Sequence, residues 1–218
     1  MATQIAGNTS ANIAEVEAAT HAVRTTPKPV DYGSLGIYSL AAATGTMAAA
    51  LAANSPIWSF RWGNATNLAV VKKVIISAGD TATAFTAGVV TFQLFVARSF
   101  TASDSAGTSI LPSSNQNKLR TSMGTTLLTD ARISSTATLT AGTRTLDTNP
   151  IGSVSVSDTA TAGTPLMQPY PLFLAQAGDY PVVLAQNEGL VIQATVPATG
   201  TWTASVQVQW EELASYVP

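Results

Sequence analysis

The sequence contains no cysteine. That removes a disulfide framework, a thiolate nucleophile and every zinc site built on thiolates. Histidine occurs once, as His21. Nothing around it marks the nucleophile and orienting group that a catalytic histidine needs, so it reads as a solvated or interfacial residue. Glu15 and Glu17 lie nearby in the chain, and three polar residues on a tail do not make a metal site. Charge is scarce as well, with 10% of the 218 residues being Asp, Glu, Lys or Arg against about 25% in ordinary soluble domains. The basic residues are scattered, Lys72-Lys73 is their only adjacent pair, and the formal net charge is -2. Neutralising phosphates needs clustered Lys and Arg, so no nucleic-acid partner is expected.

Long apolar runs are missing too, and no membrane span is expected. The first residues, MATQIAGNTSANIAEVEAATHAV, lack a basic leader and an apolar stretch, which argues against classical secretion. The sequons Asn8-Thr9-Ser10 and Asn64-Ala65-Thr66 are therefore taken as chance matches. There is no phosphate-binding G-x-x-x-x-G-K-[ST], no G-x-G-x-x-G ahead of a helix and no G-x-S-x-G elbow. Asp130, Asp147, Asp158, Asp179 and Glu188 could supply a glycosidase-type carboxylate pair. Each sits beside turn or strand-end residues, where Asp commonly caps a turn through local hydrogen bonds. Asp80, Asp104, Asp130 and Asp158 fall at loops where calcium could bind, without an EF-hand pattern. No catalytic, cofactor-binding or metal-ligating residue is assigned, and an enzyme is not expected.

What is present is alternation. In Trp202–Glu211, WTASVQVQWE, Trp202, Ala204, Val206, Val208 and Trp210 share one face, and Thr203, Ser205, Gln207, Gln209 and Glu211 the other. A period of two held this long marks a strand with one buried and one wet face. Trp58, Phe60 and Trp62 alternate in the same way. Residues 68–78 read as a strand with Val70, Lys72, Val74 and Ile76 on one face and Val71, Lys73 and Ile75 on the other, one lysine snorkelling or near a strand end. Residues 89–100 place Phe92, Leu94 and Val96 inward, with Phe95 either in a second packing layer or at an exposed contact. Further strands are predicted at 151–157, 170–174, 180–184 and 190–196, and short ones around 118–134. Pro197-Ala198-Thr199-Gly200 reads as the turn of a hairpin joining 190–196 to the last strand. Aromatics at 58, 60, 62, 202 and 210 fit a core better than a sugar platform, Trp210 being the best candidate for exposure because it ends its strand. Arg98, Arg120, Arg132 and Arg144 are placed to pair with Asp104, Asp130, Asp147 or Asp158 and fix loops or subunit contacts.

Residues 1–34 read as an N-terminal arm. Asn12 caps a short helix through Ala22 with Glu15 as its capping-box partner, and Thr-Thr-Pro-Lys-Pro at 25–29 is an extended linker. Such a helix is marginal alone, so the segment is a frayed tail or, as favoured here, an arm that orders against a neighbouring subunit. The Ala-rich stretch after Gly45 predicts a helix by propensity, with a tight β-layer contact as the alternative. Asp-Thr-Ala-Thr-Ala occurs at 80 and again at 158, and Thr-Ala-Gly at 86, 140 and 161, which reads as reused turn chemistry. Seven or eight strands with loops of unequal length over residues 35–218 predict an all-β fold: an antiparallel jelly-roll-like β-sandwich with an N-terminal arm and a short C-terminal tail.

Four stretches carry a resemblance: PIWSFRWGNATNLAVVKKVIISAG, FQLFVARSFTASDSAGTS, NKLRTSMGTTLLTDARISSTATLTAGTRTL and YPVVLAQNEGLVIQATVPATGTWTASVQVQWEE. Together they cover about residues 56 to 212 and resemble a family of virion structural proteins of tailed bacteriophages. The resemblance implies a noncatalytic capsid decoration (cement) protein with a jelly-roll domain. It further implies a homo-oligomer, often a trimer, located in the virion with other virion subunits such as the major capsid protein as partners. It implies no cofactor and carries no functional residue across. A tail, neck or baseplate protein and a carbohydrate-binding host-recognition module are the alternatives.

Overall fold

The computed structural model describes residues 35–49, 51, 53–158, 161, 165–176 and 179–216. The expected arm with its helix, His21 and linker lies outside the described residues, as does the end of the C-terminal tail. Thirteen strands are described. The first seven are β1 (Gly36–Ala43), β2 (Met47–Ala48), β3 (Ser55–Trp62), β4 (Leu68–Asp80), β5 (Gly88–Arg98), β6 (Thr108–Ser109) and β7 (Asp130–Ile133). They are followed by β8 (Thr145–Leu146), β9 (Gly152–Asp158), β10 (Pro165–Leu174), β11 (Val182–Leu184), β12 (Glu188–Thr195) and β13 (Thr201–Leu213). Two antiparallel sheets form a sandwich-like, all-β arrangement. The first runs β1-β13-β4-β10, with β2 beside β13 and β11 beside β4; the second runs β6-β7-β3-β12-β5-β8, with β9 also beside β5.

The alternation of β13 sets the core. Trp202, Val206, Val208 and Trp210 are buried and meet the second sheet directly. Phe60 of β3 packs edge-on to Trp210 at 5.2 Å, and Phe92 of β5 lies 5.7 Å from Trp202. Such ring pairs add about 0.5–1.5 kcal/mol beyond the area they bury. The Trp58/Phe60/Trp62 and Phe92/Leu94/Val96 faces are buried as their periodicity predicts. Phe95 is buried on the opposite side of β5, which decides for a second packing layer there.

The expected hairpin does not form. β12 lies between β3 and β5 in the second sheet, while β13 lies between β1 and β4 in the first. The chain from 196 to 200 therefore arches across the core, through Gly200 at a φ of 105°, instead of reversing within one sheet. The inner faces are apolar from Leu190 to Ala194 and from Trp202 to Trp210, and facing each other across the core buries both. Each is central, as proline-free interiors allow.

Two bulges shift the phase that simple alternation predicts. Opposite Gln209 and Trp210 the register jumps from Lys73 to Val71, leaving Lys72 as an extra residue. Ala69 and Val71 then share the core with Val74, Ile76 and Ala78, so Val70 is not on the face of Val74. The extra residue also answers the lysine problem, because Lys72 turns aside to meet Glu211 at 3.5 Å. Glu211, predicted on the wet face, is buried. In β3 a second shift leaves Ile57 unpaired between Trp58 and Pro56, and Ile57 joins the core beside Trp58.

The segment ahead of Pro56 is also corrected. Residues 36–43 form β1, a strand the sequence pattern did not predict, paired with β13 from Gly36–Glu212 to Ala43–Ser205. The predicted Ala-rich helix is replaced by β2, where Met47 pairs with Trp202 and is buried. The Trp202 Nε1–H donates to the Ala48 carbonyl at 3.2 Å. Tertiary pairing overrides a few tenths of a kcal/mol per residue of helix propensity.

The edges of the first sheet are guarded. Residues 117–119 run along β1, with the Leu119 amide donating to the Ile37 carbonyl and the Ser39 amide to the Asn117 carbonyl. On the other side β10 carries Pro169 and Pro171 and repeated register shifts, which spoil it as a template for a further strand. There β9 of the second sheet comes up hard against β10: a Cβ on Gly152 would collide with the Leu172 carbonyl oxygen. Gly152→Ala must push the two backbones apart. It should cost roughly 1–3 kcal/mol, read as a lower denaturant midpoint with unchanged slope; a wild-type midpoint would show that the seam is not close-packed.

Candidate interaction surface

The two sheets present very different outer faces. Over the second sheet the chain folds back on itself. Phe100 packs with Ala97 and Val191, with half-buried Leu146 alongside, in a small core on the outside of the sheet. The Arg144 guanidinium lies 5.3 Å from the Phe100 ring centre and forms an ion pair with Asp104 in which both side chains are almost wholly buried. The Gly142 amide also donates to Asp104 Oδ1 at 2.9 Å. Arg61 ties the start of this excursion down through the carbonyls of Phe100 (2.6 Å) and Thr101 (2.8 Å). Burial pulls the Arg144 group down to about 10, which still leaves it charged at neutral pH.

The expected arginine pairings largely form. Arg98 holds Asp147 at 3.3 Å and Glu188 at 2.5 Å, and Arg132 holds Asp130 at 3.1 Å. Arg120 instead donates to the Ser122 hydroxyl. These pairings also place the candidate carboxylates. Asp130, Asp147 and Glu188 stand against arginines, and Asp179 accepts from the Gln176 amide in a local turn. Of the calcium candidates, Asp104 and Asp130 face arginines, while Asp80 and Asp158 are the buried last residues of β4 and β9. Among the described residues no three His, Cys, Asp or Glu side chains converge.

Trp58, Phe60, Trp62, Trp202 and Trp210 are all buried, so they form no sugar platform. Trp210 is a correction: although near the end of its strand it is fully buried, stacked on Tyr38 at 5.4 Å. The cause is Glu212, whose inward carboxylate the sequence pattern did not flag. It accepts from Trp210 Nε1 (3.1 Å), the Thr126 hydroxyl (2.5 Å) and the Leu127 amide (3.1 Å). That cluster seals the strand end with the 126–128 loop. Burial raises the Glu212 carboxyl, against the pull of those hydrogen bonds. Burial and the nearby Glu212 push the Tyr38 phenol up to about 12, so it stays protonated and donates to the Gly124 carbonyl at 2.9 Å.

Among the described residues no segment packs over the outer face of the first sheet, where Ala41 and Ser205 are exposed. Thr203, Ser205, Gln207 and Gln209 of β13 stand at its centre, flanked in register by Ser39 and Ala41 of β1 and by Ile75, Ser77 and Gly79 of β4. The middle of this face carries no charge; Lys73 and the Lys72–Glu211 pair stand at one end. Two shallow hollows of about 260 and 280 Å³ adjoin over it, sharing Ser77, Pro169 and Ser205. Four strands about 4.8 Å apart and eight to thirteen residues long give a surface of roughly 500–800 Å². Its hydroxyls, amides and small side chains can hydrogen-bond and pack closely, and desolvate at much lower cost than charges.

The chain matches no protein-family model, no curated protein and no solved structure.

The covered face carries a prediction. Arg144→Met leaves Asp104 as an uncompensated buried charge, a loss of about 3–5 kcal/mol, whereas Arg144→Met with Asp104→Leu removes both charges and should cost distinctly less. Thermal unfolding of both variants checks this; a double variant no better than the single would mean that the ion pair is not what holds the excursion down.

Proposed function

We propose that this protein is a noncatalytic virion structural subunit: a capsid decoration (cement) protein with a jelly-roll domain, which acts by docking the open face of its first sheet on neighbouring shell subunits. The observation that carries the proposal is the contrast between the outer faces. Among the described residues one is covered by the chain's own loops, while the other is an uncovered, uncharged field of Ser, Thr and Gln.

Strand order supports the jelly roll. Eight strands have seven or more residues: β1, β3, β4, β5, β9, β10, β12 and β13. Numbered by themselves, the first, eighth, third and sixth neighbour one another in one sheet, and the second, seventh, fourth and fifth in the other. That interleaving is what two nested Greek keys produce, an architecture used by viral capsid domains among others. Fold alone does not assign function, and the resemblance of residues 56 to 212 to tailed-phage virion proteins supplies the biological context.

Area supports the docking. A stable contact buries about 800 Å² on each partner, and the open face offers roughly 500–800 Å². Copies bound across the seams between capsomers add that burial to the shell, and a trimer would place three such faces on one site. The expected arm at residues 1–34 would extend the contact. A tail, neck or baseplate position would use the same face for ring contacts. The carbohydrate-module alternative loses its aromatic platform.

Particles stripped of the protein should lose heat or osmotic resistance and regain it on adding the protein back. Ser205→Lys sets an unpaired charge in the middle of the open face. It should abolish rebinding while leaving the protein's own stability within about 0.5 kcal/mol. Unchanged resistance of stripped particles sinks the cement role; wild-type rebinding by the lysine variant sinks the assigned face. Imaging the protein on the tail would move it to the second position.

A further inference from the structure

We propose that the trench on the open face of the first sheet is the seat for residues 2–11 of a second copy of this chain. β4 and β10 build the trench together. The outward residues of β4 shrink along the strand, from Ile75 to Ser77 to Gly79. Opposite them β10 carries one residue too many: Met167 pairs with Ala78 and Tyr170 with Ile76, so Gln168 and Pro169 bulge beside Ser77. The two hollows follow from this, one beside Gly79 and the other beside Ile75, and they join at Ser77, Pro169 and Ser205. From Gly79 to Ile75 the trench runs roughly 13 Å, the length of about four residues of extended chain.

The lining selects a neutral segment of small residues. Ser77, Thr203 and Ser205 offer hydroxyls to an incoming backbone, and among the described residues no charged side chain lines either hollow. A charged occupant would be desolvated there without a partner. Residues 2–11, ATQIAGNTSA, contain no charged side chain and one large apolar one, Ile5. Glu15, Glu17, Arg24, Lys28 and Asp31 all fall between that segment and β1, as suits a tether that crosses water.

Direction assigns the segment to a second copy. Leu35 prolongs β1, its amide donating to the Glu212 carbonyl at 3.0 Å, so the chain reaches the sheet from beyond the Glu212 end. The trench lies beside Ser205, about 24 Å further along β13. A straight path back from Leu35 leads away from the chain's own trench, and Pro27 and Pro29 stiffen that path. Even with the helix predicted at 12–22, a tether of residues 12–34 spans roughly 55 Å. Two touching domains of this size have centres about 40 Å apart, so a neighbour's trench is within reach. Such an exchange is heterologous and links copies head to tail, in a ring where the rotation closes. Arm exchange rests on the open face being a docking surface, but it is read on free protein, so its failure is distinct from a failure to bind particles.

The test uses engineered thiols, which report contact cleanly in a chain without cysteine. Ile5→Cys protein is mixed under oxidising conditions with Ser77→Cys protein, or with Ser155→Cys protein, whose thiol is exposed on the other sheet. The 5–77 disulfide, identified by mass spectrometry of the linked peptides, should form at least about tenfold faster than the 5–155 one. Thr203→Cys, on the wall of the trench, replaces Ser77→Cys should that variant fail to fold. Sedimentation equilibrium should find the full chain self-associating and a chain lacking residues 2–11 monomeric. Equal rates at 77 and 155, a monomeric full chain, or unchanged self-association without residues 2–11 overturns the seat. In the double variant Ile5→Cys/Ser77→Cys, a disulfide confined to single chains overturns the exchange, because the arm then folds back on its own sheet.

Discussion

Burial of the inner face of β13 is the constraint on which the rest of the sandwich depends. Trp202 and Trp210 each remove some 150–250 Å² from water, a gross gain of about 4–6 kcal/mol apiece at roughly 25 cal/mol per Å². The strand couples five others: β13 pairs with β1, β2 and β4 within its sheet, and its tryptophans touch β3 and β5 across the core. That gain is large enough to draw a carboxylate in with it. Glu212 follows Trp210 on the same face, and burying it is tolerated because three donors converge on it and one of them is Trp210 itself.

Strands whose inner faces were long and strictly alternating were legible from residues alone, as at Phe92–Leu94–Val96 and Trp202–Trp210. What escaped was whatever depends on a partner. β1 reads as Ala-rich and featureless because its pattern is completed by β13, not by its own side chains. The bulge at Lys72 inserts one residue and inverts the faces of half a strand, and a period-two reading has no means of placing it. The arch at Pro197–Gly200 carries the same turn residues as a hairpin. Only the competition between pairing β12 with β13 and packing them face to face separates the two. The open polar face was legible as the wet side of one strand, but its breadth was not, since that comes from which strands lie beside β13.

Charge poverty acquires a structural meaning from where the few charges stand. Arg144 with Asp104, Arg98 with Asp147 and Glu188, and Lys72 with Glu211 all sit where a loop or strand end meets the sandwich. Exposed pairs of this kind are worth about 0 to 1 kcal/mol, too little to explain stability. The buried ones resist any arrangement that separates them, because a lone buried charge costs several kcal/mol. Their effect is to hold the loops in one position over a core that apolar burial has already made stable.

With the charges gathered at ends and beneath loops, the centre of the first sheet is left uncharged. A surface of this kind gains little from water compared with a charged one and offers hydroxyl and amide groups at the fixed spacing of a sheet. Binding to a flat, neutral neighbour would desolvate it cheaply, require no ordering of long side chains and leave no charge unpaired. A highly charged or strongly curved partner would forfeit those advantages. The physical preference of this face is thus for another flat, close-packed and neutral protein surface.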